Sequence, residues 1–155
     1  MSTAGDASAF LSITGDDQYV TDDSGDGTLT IDLGGPGDSG FNQEAVTTLD
    51  GVVTITNNAA DDSSATVGVS TEGVDTASAG GSASLLVEDG DNNAVAYVTF
   101  YVGPTGENSV GDGATQTIDV GNSAELDVEI DTRDQTLTDN SDAPTSGLTI
   151  VAEES

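Results

Sequence analysis

The sequence contains no cysteine, histidine, lysine or tryptophan, and its only basic side chain is Arg133. Without cysteine the fold carries no disulfide. Because histidine, cysteine and lysine are absent, a serine hydroxyl has none of the usual bases that activate it, and the commonest zinc ligands are missing. No run approaches the roughly 18 apolar residues of a membrane span, so no membrane insertion is expected. These absences predict that the protein is not an enzyme.

The charge of the chain is almost entirely of one sign. It has 29 acidic residues and a net charge of −28. Self-repulsion of this size opposes compaction and weakens only when salt screens it, and halophilic proteins use net charge in this way. We therefore expect a protein of a salt-loving organism whose folding depends on salt. Such a chain repels phosphate, which excludes nucleic acid as a direct partner.

Large apolar residues are few, but their pattern is typical of a folded β protein. Valine, isoleucine, leucine and phenylalanine make up 33 of the 155 residues, close to the limit below which charged chains stay disordered. They cluster in short alternating runs separated by glycine, aspartate, asparagine and serine. We predict one domain over residues 1–155, an all-β sandwich or barrel of about nine short strands. The predicted strands are 9–14, 28–33, 52–57, 65–70, 84–88, 94–102, 115–120, 124–131 and 148–152.

Two of these strands make specific predictions about which side chains are buried. In the strand 124–131, Leu126, Val128 and Ile130 alternate with the acidic residues 125, 127, 129 and 131, which predicts one dry face and one charged face. In the strand 94–102 both faces are apolar. On one face, alternate residues from Ala96 to Val102 would line the core. Tyr97 and Tyr101 then stand together on the opposite face. Either that strand is central and covered, or the tyrosines form a contact patch for another protein.

One segment has helical rather than strand spacing. Phe41, Ala45 and Leu49 recur at helical intervals after Asn42, a suitable N-cap, which predicts one short helix before the strand 52–57. The polar spacers 71–83, 103–114 and 132–147 are rich in glycine, serine and aspartate and are interpreted as surface loops.

Two acidic turns are candidate cation sites. Asp22, Ser24 and Asp26 place oxygen side chains at alternate positions with Gly27 at the sixth, as in the first half of an EF-hand loop. The twelfth position is Leu33 instead of glutamate. Asp89 and Asp91 form a second acidic turn. Hard oxygen ligands of this kind predict weak binding of calcium or monovalent cations and no other cofactor; the alternative is that both are solvated hairpin turns.

Several stretches of the chain, in order, resemble a known group of proteins. They are Gly5–Leu11, Gly40–Ala45 followed by Leu49–Asp50, Val53–Asn58, Val120–Ser123, Asp131–Arg133 and Leu148–Ile150. On these residues the chain resembles haloarchaeal secreted proteins of unassigned function that are similar to the TasA/camelysin family. The family carries a leader and a β-strand upstream of the Gly5–Asp6 motif, where this chain has only Met1–Ala4.

The resemblance implies a jelly-roll-like antiparallel β-sandwich located outside the cell or at its surface. It also implies self-association, in which a strand of one subunit completes the sheet of another or of other surface subunits. We accordingly expect a structural filament, pilus or matrix subunit with interface residues Leu11, Ile13, Tyr97 and Tyr101. The alternative is a monomeric extracellular module that binds cations or carbohydrate through acidic loops.

Overall fold

The computed structural model describes residues 11–16, 20–23, 28–31, 42–73 and 75–154 of the chain. These residues form ten β-strands and one short helix. The elements are β1 Leu11–Gly15, β2 Val20–Asp23, β3 Thr28–Ile31, β4 Val46–Asn57, β5 Ala65–Ser70, β6 Ser82–Glu88, β7 Ala94–Pro104, β8 Gln116–Ile118, β9 Ser123–Asp131, α1 Asp134–Asp139 and β10 Thr149–Glu154.

The strands form two packed antiparallel sheets and a separate hairpin. The larger sheet has five strands in the order β1-β4-β9-β7-β6, and the smaller has three in the order β10-β5-β8. The remaining pair, β2 and β3, forms an antiparallel hairpin with Val20 opposite Ile31. The predicted all-β sandwich is confirmed, and its one short helix is present at a different position from the predicted one. Each predicted strand overlaps an observed one, whereas β2 was not predicted.

The core lies between the two sheets and is built from alternate residues of each strand. On β9, Leu126 and Val128 are fully buried and Ile130 is 3% exposed, as the alternation predicts. The predicted core face of β7 is confirmed as well, since Ala96, Val98, Phe100 and Val102 are all buried. The smaller sheet contributes apolar residues of β5, β8 and β10 to the same cluster: Ala65, Val67, Val69, Ile118, Ile150 and Ala152.

The buried amide of Asn57 ties the two sheets together at one end of the sandwich. Its Nδ2 donates to the carbonyl oxygens of Ser63 and of Ile118 on β8, at 2.8 and 2.9 Å, and its Oδ1 accepts from the amide of Ala59. A buried amide is tolerated when its donors and acceptor are all used, as they are here. Asn57 therefore links the end of β4 in the larger sheet to the smaller sheet.

The helix predicted between Phe41 and Leu49 is wrong. Phe41 lies outside the described residues, residues 43 and 44 form a turn with Glu44 at φ 51°, and β4 begins at Val46. The run Val46-Thr47-Thr48 is β-branched, which favours a strand over a helix because the χ1 angle of such residues is restricted in a helix. Asn42 consequently caps no helix.

The observed helix, α1, instead lies within the spacer 132–147 that was predicted to be a loop. It has six residues, and Leu137 is the only large apolar one. Its first residue has no side-chain cap, so local sequence preference for a helix is weak. Among the described residues, no helix is both long and apolar enough to cross a membrane.

The chain crosses from one sheet to the other through a corner at Gly80 and Gly81. Gly80 exchanges two backbone hydrogen bonds with Val69 of β5, while the carbonyl of Gly81 accepts from Val102 of β7 at 2.9 Å. Gly80 is therefore bonded to the smaller sheet and Gly81 to the larger sheet. The backbone of Gly113 runs so close to this corner that a side chain at position 81 has no room.

Substituting Gly81 with alanine is expected to destabilise the fold by about 1–3 kcal/mol or more, the usual range for overpacking. A Cβ at this position would lie 2.4 Å from the carbonyl oxygen of Gly113, and backbone cannot rotate away as a flexible side chain can. Gly90→Ala is the matched control, because nothing lies within 4 Å of its Cβ position. Denaturant unfolding of both variants measures the difference; equal stability would show that the corner is not tightly packed.

Candidate assembly edge and acidic sites

Strand β1 lies at the edge of the five-stranded sheet and pairs only with β4 among the described residues. The amide of Asp16 donates to the carbonyl of Val52 at 3.0 Å, which fixes the direction of the neighbouring groups. Because hydrogen-bonding directions alternate along an antiparallel strand, the amides of Ser12 and Thr14 face β4. The amides of Leu11, Ile13 and Gly15 therefore point away from the sheet, toward the position that a further strand would occupy.

The predicted interface residues Leu11 and Ile13 are placed on this edge strand, but their side chains serve the core. Both are half-buried and pack against the main apolar cluster, where Ile13 lies opposite Ile55 of β4. What they present at the edge is their backbone N–H and C=O groups. Any partner strand added here would be held mainly by main-chain hydrogen bonds.

Tyr97 and Tyr101 share the outer face of β7, as predicted, and both are half-buried. Tyr97 lies opposite Leu86 and Asp131 on the flanking strands, and Tyr101 lies opposite Asp127. Burial raises the pKa of Tyr101, and the nearby charge of Glu129 adds to this shift. The strand is covered in part: α1 lies against β7, and residue 113 approaches the Tyr101 ring. The two tyrosines are thus partly covered, and their role as interface residues stays a prediction.

One prediction for β9 is wrong: Asp127 is not exposed but fully buried. One carboxylate oxygen accepts the amide of Gly51 and the other accepts the amide of Ser109, both at 2.7 Å. Gly51 has φ +62° and lies in the irregularity of β4 where its pairing with β9 shifts between Leu49 and Val53. The outer face of β9 is covered here because the loop after β7 folds back over it. Asp127 therefore joins that loop and β4 to the central strand.

Asp131, predicted to lie on the charged face, is 4% exposed and is held by the only cation of the chain. Its carboxylate accepts from the Arg133 guanidinium at 2.6 and 3.0 Å, from the Arg133 amide at 3.0 Å and from the Thr136 hydroxyl at 2.9 Å. The hydrogen bonds of Arg133 lower the pKa of Asp131 from 3.8 to about 2. The neighbouring Thr132 hydroxyl bonds the backbone of Asn42 and Ala45, so Thr132 anchors the segment that leads into β4.

Acid is expected to remove the stabilisation that Asp131 provides. Its folded pKa lies below the unfolded value, so the unfolded chain takes up the proton first, and stability is lost as the pH falls from about 4 toward 2. The contribution at neutral pH is about 2 kcal/mol. Asp131→Asn should therefore be less stable than the unaltered protein at pH 6, and this gap should narrow by pH 2. Urea unfolding in about 3 M KCl, which screens the other carboxylates, measures the difference in free energy of unfolding between the two proteins. A difference that does not change with pH would contradict the stabilising role of the ion pair.

The first candidate cation turn falls mainly outside the described residues. Asp22 belongs to strand β2, opposite Leu29 of β3, whereas Ser24, Asp26 and Leu33 lie outside the described part of the chain. The structure thus shows that an antiparallel hairpin, and no helix, flanks this turn on its described sides. Calcium binding at this turn stays a prediction.

The second candidate turn connects β6 to β7, and Asp89 holds it closed. One oxygen of Asp89 accepts the amides of Asp91 and Asn93 at 2.8 and 2.9 Å, and both oxygens accept from the Asn93 side chain. These bonds, chiefly those of Asn93, lower the pKa of Asp89. Asp89 thus has a structural role in the hairpin. Within the described ranges no group of three carboxylates converges, and weak cation binding by Asp89 and Asp91 stays a prediction.

A shallow groove of about 400 Å³ lies between the end of β5 and the start of β6. Its walls are small and hydroxylic, and Glu72 is the only charged side chain among them. No aromatic ring lines it, although stacking on aromatic rings is a usual means of holding a sugar.

Comparison with known proteins provides no further assignment. No family model matches the sequence, and neither a curated protein nor a solved structure shows significant similarity to it. The resemblance to the TasA/camelysin family accordingly stays a prediction.

Proposed function

We propose that the chain is a non-enzymatic structural subunit of the cell surface of a salt-loving organism, which assembles with further copies into a TasA-like filament or matrix. The observation that supports this proposal is the position of β1 at the edge of the larger sheet, with three amides directed outward. An exposed edge strand is a template for another chain, and soluble proteins usually protect such edges.

The side chains of β1 favour the addition of a strand. Its inward residues Leu11 and Ile13 pack on the core and hold the strand in place, and Thr14, on its outer face, is exposed and uncharged. Edges that resist pairing often carry lysine, proline or inward-pointing charge, and none of these occurs between Leu11 and Gly15. High salt screens the repulsion between subunits of charge −28, so assembly is expected in concentrated salt.

The experiment provides the edge with a strand to bind. Extending the chain before Met1 by a segment of alternating valine and serine should drive polymerisation in 3 M KCl, whereas the chain itself should stay small or associate weakly. Light scattering and electron microscopy measure the difference. An extended chain that remains monomeric under these conditions would overturn the proposal.

A pair of substitutions at Gly15 tests whether this edge is the one that is used. Gly15→Pro removes an outward N–H, and proline is tolerated on edge strands where the N–H faces away from the sheet. It should abolish polymerisation of the extended chain while the circular dichroism spectrum stays β-type. Gly15→Ala keeps the N–H and should polymerise normally. If both variants polymerise alike, assembly does not run through β1.

A further inference from the structure

The opposite edge of the five-stranded sheet is formed by β6. In its antiparallel pairing with β7, Ser84 lies opposite Thr99 and Leu86 opposite Tyr97. The amide of Leu86 donates to the carbonyl of Pro144 at 2.8 Å, so it points away from β7. By the same alternation the amide of Ser84 also points outward. This edge would be a second template for another chain if nothing covered it.

Residues 140–147, which we call the cover segment, lie beside this edge. Leu86 is only 2% exposed although it belongs to an edge strand, and it is not part of the main core cluster. Its neighbours Leu85 and Val87 point to that core, so Leu86 points to the outer face. A large apolar side chain on the outer face of an edge strand stays buried only if other residues cover it. Pro144 of the cover segment is the residue bonded to its backbone.

A chain of hydrogen bonds connects the cover segment to the buried ion pair. The Thr136 hydroxyl on α1 bonds the carboxylate of Asp131, and the Thr136 carbonyl accepts both the backbone and the side-chain amide of Asn140 at 3.1 and 2.8 Å. The carbonyl of Asn140 then accepts the amide of Ala143, one residue before Pro144. The Asp131 carboxylate, which is paired with Arg133, thus holds α1, and α1 holds the start of the cover segment.

We propose that the cover segment is an edge-protecting device, which occupies the hydrogen-bonding position on β6 that a strand of a second copy would otherwise take. Among the described residues this leaves β1 as the uncovered edge of the larger sheet, so that association through this sheet is one-sided. The inference rests on the proposed function only in taking assembly to involve sheet edges. Exposed edges that are not used in assembly lead to uncontrolled aggregation, which explains why a sheet that uses one edge as a template would have its other edge covered.

Amide exchange in the unaltered protein tests the cover directly. At concentrations where the protein is monomeric in 3 M KCl, the Leu86 amide should exchange at least about tenfold more slowly than the Ser84 amide, which points outward from the same strand. Equal and fast exchange of both amides would overturn the proposal, because Leu86 would then not be held by Pro144.

A loop replacement tests the consequence for association. Replacing residues 141–146 by a glycine-serine segment of equal length should free the Leu86 amide and raise the sedimentation-average mass at concentrations where the unaltered chain is monomeric. Replacing residues 75–78 in the same way is the control, because this stretch also contains one aspartate and lies in a mainly exposed loop. If the first variant exposes Leu86 and associates no more than the control, the segment does not protect the edge.

Further variants separate this proposal from the proposed function. The double substitution Thr136→Val with Asn140→Ala cuts the hydrogen-bond chain without removing the segment, and it should speed Leu86 exchange while the fold persists. Adding Gly15→Pro to the 141–146 replacement blocks β1 and leaves β6 free. If the double variant still associates, the freed β6 edge is sufficient for association, which supports the edge-protecting role of the cover segment even if the extended chain does not polymerise through β1. If Gly15→Pro abolishes association, the freed β6 edge of one copy pairs with the β1 edge of another.

Discussion

Lowering the KCl concentration from 3 M to 0.1 M at neutral pH is expected to unfold the protein, with loss of its β-type circular dichroism spectrum. The 29 carboxylates are opposed by a single guanidinium, and that guanidinium is already paired with Asp131 at 2.6 Å. Two unit charges about 8 Å apart in water repel by about 0.5 kcal/mol before screening. Summed over many such pairs, the repulsion becomes comparable with the roughly 5–15 kcal/mol by which domains are stable.

Salt strongly weakens the repulsion between the carboxylates. The Debye length is about 10 Å at 0.1 M and about 3 Å at 1 M, so screening reduces an 8 Å repulsion to about half in the first case and below about a tenth in the second. The core that opposes the repulsion consists mainly of valine and alanine, with Phe100 as its one buried aromatic residue among the described residues. Its apolar burial is therefore modest for a chain of this length.

A charge-reduced variant distinguishes screening from a general effect of salt on apolar burial. Asp62→Asn, Glu72→Gln, Asp75→Asn and Glu107→Gln neutralise four exposed carboxylates without changing the core. This variant should need less KCl to fold, and at an intermediate KCl concentration where both proteins are folded it should melt at a higher temperature than the unaltered chain. An unaltered chain that keeps its full spectrum and its melting temperature at 0.1 M would show that self-repulsion does not limit folding.

Most of the strands were predictable from the sequence because their apolar residues alternate and place one face of the strand in the core. Where hydrophobic residues alternate, as in Leu126, Val128 and Ile130, a strand is the one conformation that places them all on the same side. The strand Ala65–Ser70 was predicted with its observed bounds. The hairpin strand β2 was missed because Val20 is its only large apolar residue, which leaves no alternation to detect.

The helix could not be predicted from local sequence because its stability comes from elsewhere in the fold. Residues 134–139 contain one large apolar side chain, and Thr136 is held by Asp131 of the preceding strand. The false helix at residues 41–49 shows the reverse error. There three apolar residues spaced four apart suggested a helix. The segment forms a strand instead, because the run from Val46 to Thr48 is β-branched.

On the acidic face of β9, the alternation of apolar and acidic residues does not predict which carboxylates are buried. Four carboxylates follow one another on the same face, yet the aspartates Asp127 and Asp131 are buried and hydrogen-bonded, whereas Glu125 and Glu129 are half-exposed. The shorter side chain keeps its carboxylate near the backbone, where it can accept N–H groups. The amides that Asp127 accepts come from residues 76 and 18 positions away, so only the folded chain brings them together.

Removing the Asp127 carboxylate should destabilise the protein more than any other neutralisation of an acidic residue on β9. Asp127→Ala leaves the amides of Gly51 and Ser109 without an acceptor in a buried place. Each orphaned amide costs about 1–3 kcal/mol, so the loss is about 2–6 kcal/mol, a large fraction of the stability of a domain. Asp127→Asn keeps the shape but replaces one acceptor by an amide donor, and it should cost about 1–3 kcal/mol for the one N–H that it leaves unpaired.

Glu129→Gln is the matched control, since it neutralises a half-exposed carboxylate on the same face of the same strand. Its cost should stay within about 0.5 kcal/mol, as for most surface substitutions. Urea unfolding of the three variants in 3 M KCl measures the differences with long-range repulsion screened. Amide exchange gives a local readout: in the Asp127 variants the amides of Gly51 and Ser109 should lose protection, while that of Val98 in the core should not. If Asp127→Asn is as stable as Glu129→Gln and both amides stay protected, the carboxylate does not hold the loop to the sheet.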